Sequence, residues 1–127
     1  MQPQMNTDEH RLLTRQIIGC AMKVSSRLGI GFLEKIYENS LVIELKRSRL
    51  MVCQQEKLQV LYDGILVGDY TADLIVNAMI LLELKACKTI DSVHEAQVLN
   101  YLKASRLRIG LILNFGTMKL GIKRLVL

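Results

Sequence analysis

Apolar residues recur every three or four positions from Thr7 to Leu28, at Leu13, Ile17, Ala21, Val24 and Leu28. This is the stripe that an amphipathic helix turns toward a core. Asn6 or Thr7 is placed to cap its start. Gly29 follows the last periodic residue and suits a left-handed C-terminal cap, so Gly29-Ile30-Gly31 reads as a tight connection into a second helix from about Leu33 to Arg47. After Leu50 the pattern changes to runs rich in Val, Leu, Ile and Tyr. A strand from about Val52 to Tyr62 leads into Asp63-Gly64, a strong hairpin-turn signal, and a second strand reaches about Val76. Asn77-Ala78-Met79 makes the next turn, into Ile80-Leu81-Leu82-Glu83-Leu84-Lys85, so three antiparallel strands follow in succession. Ser92-Val93-His94-Glu95 matches a capping box and opens a helix to about Ser105. Ile109 to Leu113 is a continuous apolar run of the kind buried on both faces of a sheet, and Lys119 to Val126 adds a final edge strand. The order is therefore ααβββαββ, an α/β chain.

At 127 residues the chain is the size of one domain and can bury a single core without staples. A hydrophobic fraction of 50% and the single proline, Pro3, exclude a disordered chain, which lacks the apolar side chains that offset ordering entropy. The formal charge of +5 favours contact with polyanions. The basic residues are scattered, with small groups at Lys46, Arg47, Arg49 and at Lys103, Arg106, Arg108, and each group taken alone reads as an ordinary solvated surface. Cys20, Cys53 and Cys87 are odd in number and widely spaced, so neither a disulfide framework nor a zinc site is indicated. The segment Met1 to His10 is polar, and no apolar run approaches the roughly 20 residues that span a bilayer, so a cytoplasmic protein without membrane partners is expected.

The chemistry is concentrated on the third strand. Glu83 and Lys85 are two residues apart and share one face, while Leu82 and Leu84 share the other. With a three-residue loop at 77–79, Val76 pairs with Ile80 and Asp73 falls opposite Glu83. Two carboxylates placed side by side on a buried strand would hold a proton unless a cation compensates them. Magnesium takes oxygen ligands and keeps several waters, so Asp73, Glu83 and the carbonyl of Leu84 form a candidate set for it, with Lys85 placed to orient or activate a water.

Further polar residues fall on apolar surfaces. Glu34 projects between Leu41 and Leu45 at 100° per residue, which expects a core-facing glutamate that serves either at the metal or as a structural acceptor. His94, Gln97, Tyr101 and Ala104 line one face of the third helix. Gln97 and Tyr101 either contact the Lys85 region or a substrate phosphate, or satisfy backbone groups at a helix-sheet interface. His94 reads as structural.

These residues resemble a known family. Gly31-Phe32-Leu33-Glu34-Lys35-Ile36-Tyr37 reads as G-x-x-E-x-x-Y, the signature that names the bacterial GxxExxY proteins. Tyr70-Thr71-Ala72-Asp73-Leu74, Glu83-Leu84-Lys85-Ala86, His94-Glu95-Ala96-Gln97 with Leu99-Asn100-Tyr101-Leu102, and Asn114-Phe115-Gly116 look like the same family, over roughly Thr7 to Gly116. That family is grouped with the PD-(D/E)XK nuclease superfamily, so the resemblance implies a restriction-endonuclease-like core, a central mixed sheet flanked by helices, that cuts nucleic-acid phosphodiesters with magnesium or manganese. It also implies roles: Asp73 and Glu83 as the acidic metal ligands, Lys85 as the catalytic lysine, and Glu34 as the acidic residue of the preceding helix. Gln97 and Tyr101 resemble the Q-x-x-x-Y motif of RecB-type exonucleases. Ala72 stands where the superfamily's name places proline.

Two functions follow as expectations. The first is a metal-dependent nuclease, with DNA the expected substrate. The second is a non-catalytic nucleic-acid-binding or protein-interaction module that keeps the fold. Without Trp, and with Phe32 and Phe115 as the two phenylalanines, stacking aromatics are scarce, which counts against base stacking on a single strand. The exposed ends of the sheet offer a way for two copies to pair as a homodimer.

Overall fold

A computed structural model describes residues 7–127, and the cap expected at Asn6 or Thr7 lies outside the described residues and side chains. Helices α1 (Thr7–Leu28) and α2 (Glu34–Arg47) are followed by strands β1 (Val52–Tyr62), β2 (Ile65–Val76) and β3 (Ile80–Lys85), helix α3 (Ser92–Ser105), and strands β4 (Ile109–Asn114) and β5 (Gly121–Val126). The five strands form one sheet in chain order, β1 to β5. Only β3 and β4 run parallel, because α3 carries the chain back across the sheet between them.

The turns follow their sequence signals. Gly29 takes the left-handed conformation at φ +70° and ends α1. Asp63 and Gly64, at φ 51° and 76°, close the β1–β2 hairpin between Tyr62 and Ile65. The loop at 77–79 pairs Val76 with Ile80, and Asn77 fastens it to the start of β1 by exchanging two bonds of 2.8 Å with the backbone of Met51. One boundary residue differs at α3. Asp91, rather than Ser92, caps the helix: its carboxylate accepts from the N–H groups of Val93 and His94, and His94 Nδ1 accepts from the N–H of Asp91. The four-residue reciprocity of a capping box is thus met one residue earlier, with histidine in the place of glutamate.

The sheet is covered on both faces. On one, α1 and α2 pack Leu13, Ile17, Tyr37, Leu41 and Leu45 against Leu74, Val76, Leu82, Leu84 and Leu111. On the other, α3 packs Val98, Tyr101 and Leu102 against Leu58, Ala72, Ile75, Leu81 and Ile112. The alternation of β2 slips between these two sets. Leu74 and Val76 face α1 and α2, yet Ala72, two residues earlier, joins Ile75 on the α3 side. Strict alternation would put Ala72 with Leu74. The slip falls at Asp73, and between the flanking pairs Gln54–Leu74 and Glu56–Ala72 the β1 residue Gln55 has φ +54°. No helix is long and apolar enough to cross a membrane among the described residues.

Candidate active site

The ladder between β2 and β3 runs from Val76–Ile80 to Leu74–Leu82 and stops there. Its next bonded pair would be Ala72 with Leu84. Instead, the N–H of Leu84 donates to Asp73 Oδ2 at 2.9 Å, and the N–H of Asp73 donates to Glu83 Oε1 at 3.0 Å. Two side-chain carboxyls therefore take over as acceptors where the strands part, and the two acids meet in the notch. The carbonyl of Leu84 leaves β3 on the same edge as its N–H, toward that notch.

Helix α2 and strand β1 close the notch from the side. Glu38 is 4% exposed and accepts from Lys35 Nζ at 2.9 Å and from the amides of Gln54 and Gln55 at 2.5 and 3.0 Å. Gln55 Nε2 also lies 3.4 Å from Asp73 Oδ1, so one amide joins the helix glutamate to the strand aspartate. Glu34 does not face the core as expected; it is exposed. It occupies the first turn of α2, which overhangs the edge of the packed layer, and its charge still reaches Asp73. One turn later, Glu38 is the glutamate that the fold buries. The neighbouring amides Gln54 and Gln55 were the available sign that an acceptor is needed there.

The tyrosine of the G-x-x-E-x-x-Y signature has a structural task. Tyr37 is fully buried, donates to the carbonyl of Gly29 at 2.6 Å, accepts from the N–H of Phe32 and stacks on Phe115 with centroids 4.8 Å apart. It thereby fixes the loop that delivers Glu34 and Glu38. On the far side, Asn114 accepts from the N–H of Cys87 and Gly116 and donates to the carbonyl of Cys87 at 2.9 Å, which anchors the chain as it leaves Lys85. Gly116 is required for that approach, since a Cβ there would run into the backbone of Ala86 and Cys87.

Lys85 is half-buried; its carbonyl accepts from the N–H of Phe115 at 2.8 Å, and its ammonium makes no hydrogen bond or ion pair among the described residues. It shares the α3 side of the strand with Glu83 by alternation, and its charge is felt by Glu83 and by Asp91. From α3, Gln97 Nε2 donates to Tyr101 Oη at 2.9 Å. Tyr101 is buried beside the acids: burial, then the charges of Glu83 and Asp73, push its phenol up, so it keeps a proton that it can donate. His94 serves the helix cap.

The acids themselves are strongly perturbed. Burial first, and the neighbouring Asp73 second, push Glu83 up to about 8. Asp73 is raised as well, chiefly by burial, with Glu38 and Glu34 adding to it and the bond from Leu84 opposing it. Glu83 also shares a side-chain hydrogen bond with Asp73, and Gln55 makes a long contact with Asp73 Oδ1. The facing oxygens of the two carboxyls and a main-chain carbonyl make an all-oxygen donor set, which suits a hard divalent cation. Among the described residues no group of three acidic, histidine or cysteine side chains encloses a metal.

Residues 11–125 match the family model of the PD-(D/E)XK nuclease superfamily. The chain belongs to that superfamily. No curated protein and no solved structure matches it. The five-stranded mixed sheet with its three helices is the fold that membership calls for. The superfamily consists of nucleases that generally use divalent metal ions, so membership points to nucleic acid as the class of substrate.

Proposed function

We propose that this chain, as one nuclease domain of the GxxExxY type, hydrolyses phosphodiester bonds in nucleic acid, DNA being the expected substrate, with magnesium or manganese. The observation that carries the reading is the pair of carboxyls, half-buried Asp73 and buried Glu83, at the point where the β2–β3 ladder opens, with the Lys85 ammonium two residues further on and without a side-chain partner among the described residues.

Asp73, Glu83 and the carbonyl of Leu84 would hold the cation, which when bound would supply Lewis-acid polarisation of the scissile phosphate and a lowered pKa for a water beside it. The Lys85 ammonium donates to the attacking water, sets its direction, and offsets the negative charge that grows on the phosphate oxygens. Tyr101, its hydroxyl oriented by Gln97, offers its proton to a phosphate oxygen. Glu38 acts through Gln55, which keeps Asp73 turned toward the notch, and Glu34 adds negative charge at the mouth.

Labelled single-stranded and double-stranded DNA and RNA, incubated with magnesium, manganese or chelator, test this. Wild type should cut with metal and stop with chelator, and Asp73→Asn should not cut. A folded wild-type protein that binds these substrates with a steep salt dependence, indifferent to magnesium and without cleavage, would instead establish the non-catalytic module.

A further inference from the structure

A cavity of about 410 Å3 lies between the outer half of the β1–β2 hairpin and the C-terminal half of α3. Tyr70, Gln59, Asn100, Lys103 and Arg106 contribute to its lining. Its Tyr70 wall is linked to the acidic notch through Tyr101, which packs on Tyr70 with ring centroids 4.9 Å apart and feels the charges of Glu83 and Asp73. Tyr101 is the buried member of the pair. Tyr70 keeps 37% of its surface open and presents a ring on the cavity side.

The slip in β2 creates this arrangement. It turns Tyr70 toward α3, on the side of Ala72, rather than toward α2. Three residues of strand separate Tyr70 from Asp73, about 10 Å at the usual rise. Among the described residues Lys103 and Arg106 have no ion pair, and the side-chain amides of Gln59 and Asn100 make no hydrogen bond. A flat aromatic ring, two free cations and two free amides match an unpaired base joined to phosphates. A duplex keeps its base faces stacked and offers nothing to a lone tyrosine.

We propose that this groove is a subsite for unpaired nucleotides of the substrate strand, with a base stacked on Tyr70 and the adjoining phosphates held by Lys103 and Arg106. It rests on the nuclease reading for its substrate and makes that substrate single-stranded, or a duplex with a frayed or single-stranded stretch. Gln59 and Asn100 then meet the edge of the base. The stacking aromatics that the sequence spreads thinly are brought by the fold to one place beside the acids.

The test is binding in chelator, where cleavage cannot interfere. The probes are labelled oligodeoxythymidylate and oligouridylate of roughly 15 nucleotides, close to the upper site size of small single-strand binders, and a blunt duplex of the same length. Single strands should bind more tightly than the duplex, with the two probes separating DNA from RNA. Tyr70→Ala should weaken single-strand binding by roughly tenfold or more while Tyr70→Phe stays within about twofold of wild type. Replacing Lys103 and Arg106 together with Ala should lower the slope of log affinity against log salt by about 1.4, the amount expected for two phosphate contacts on a single strand. Equal binding by Tyr70→Ala and wild type, or an equal loss on duplex and single strand, overturns the subsite even if cleavage persists. Tyr70-dependent single-strand binding without cleavage of any substrate keeps the subsite and rejects the nuclease.

Discussion

The amide of Asp73 donates to Glu83 Oε1 at 3.0 Å, so the residue that supplies one candidate ligand also holds the other in position. With Glu83 buried and Asp73 half-buried, proton and cation compete for the same oxygens. Glu83 keeps its proton to about pH 8 in the folded chain but loses it near 4.5 when unfolded, so the folded state binds more protons across that window. Its contribution to metal-free stability is complete below about 4.5 and declines as pH rises to about 8, by on the order of a few kcal/mol. Urea melts in chelator should show that decline, and magnesium should raise the midpoint more at about pH 8.5 than at about pH 5. A pH-independent effect of magnesium on the midpoint would count against a cation held by these acids.

The Lys85 ammonium makes no hydrogen bond or ion pair among the described residues, so its removal separates chemistry from folding. Lys85→Ala should melt within about 0.5 kcal/mol of wild type and lose about 100-fold or more in cleavage rate. Equal cleavage rates for the two proteins would remove the lysine from the mechanism.

Gln55 links Glu38 to Asp73, and its left-handed φ is a conformation that a non-glycine residue adopts only when its surroundings hold it there. Gln55→Ala should lower the maximal cleavage rate by roughly tenfold with little change in substrate binding, as a small misplacement of a reacting group does. Glu38→Ala strips the acceptor from two amides and a lysine and should cost about 1–3 kcal/mol of stability in addition. Steady-state kinetics beside thermal melts distinguish the two effects.

Gly116 lies against the backbone of Ala86 and Cys87, immediately after Lys85. Gly116→Ala must push that segment away, at a cost of about 1–3 kcal/mol, and should reduce cleavage more than stability alone explains. Activity in full proportion to the folded fraction would show that the Asn114 anchor has no part in placing Lys85.

Much of the architecture was legible because periodicity and turn chemistry agree along this chain. The stripe from Leu13 to Leu28, the Asp63-Gly64 turn and the three-residue loop at 77–79 each determine an element and its register, and that register alone brings Asp73 to Glu83. What escaped depends on events that no single period records. Glu34 and Glu38 lie on nearly the same side of α2, and what separates them is where the packed layer ends, a property of three elements at once. The helix cap moved to Asp91 because histidine can return the bond that glutamate was expected to make. Tyr70 appeared on the far side of the sheet from its alternation with Leu74 because Gln55 and Asp73 break the pleat without breaking the pairing.

That break divides the β1–β2 hairpin into an inner half, where Leu74 and Val76 face α1 and α2 while Ile75 faces α3, and an outer half whose Leu58 and Ala72 face α3. The outer half behaves as a separate arm with its own alignment. Related chains could lengthen or trim it two residues per strand at a time, keeping each side chain on its side while changing how far the arm extends over bound substrate. A single-residue change in one strand would turn the arm over and carry Tyr70 away from Tyr101. Reach can therefore diverge among relatives while the chemistry stays where it is.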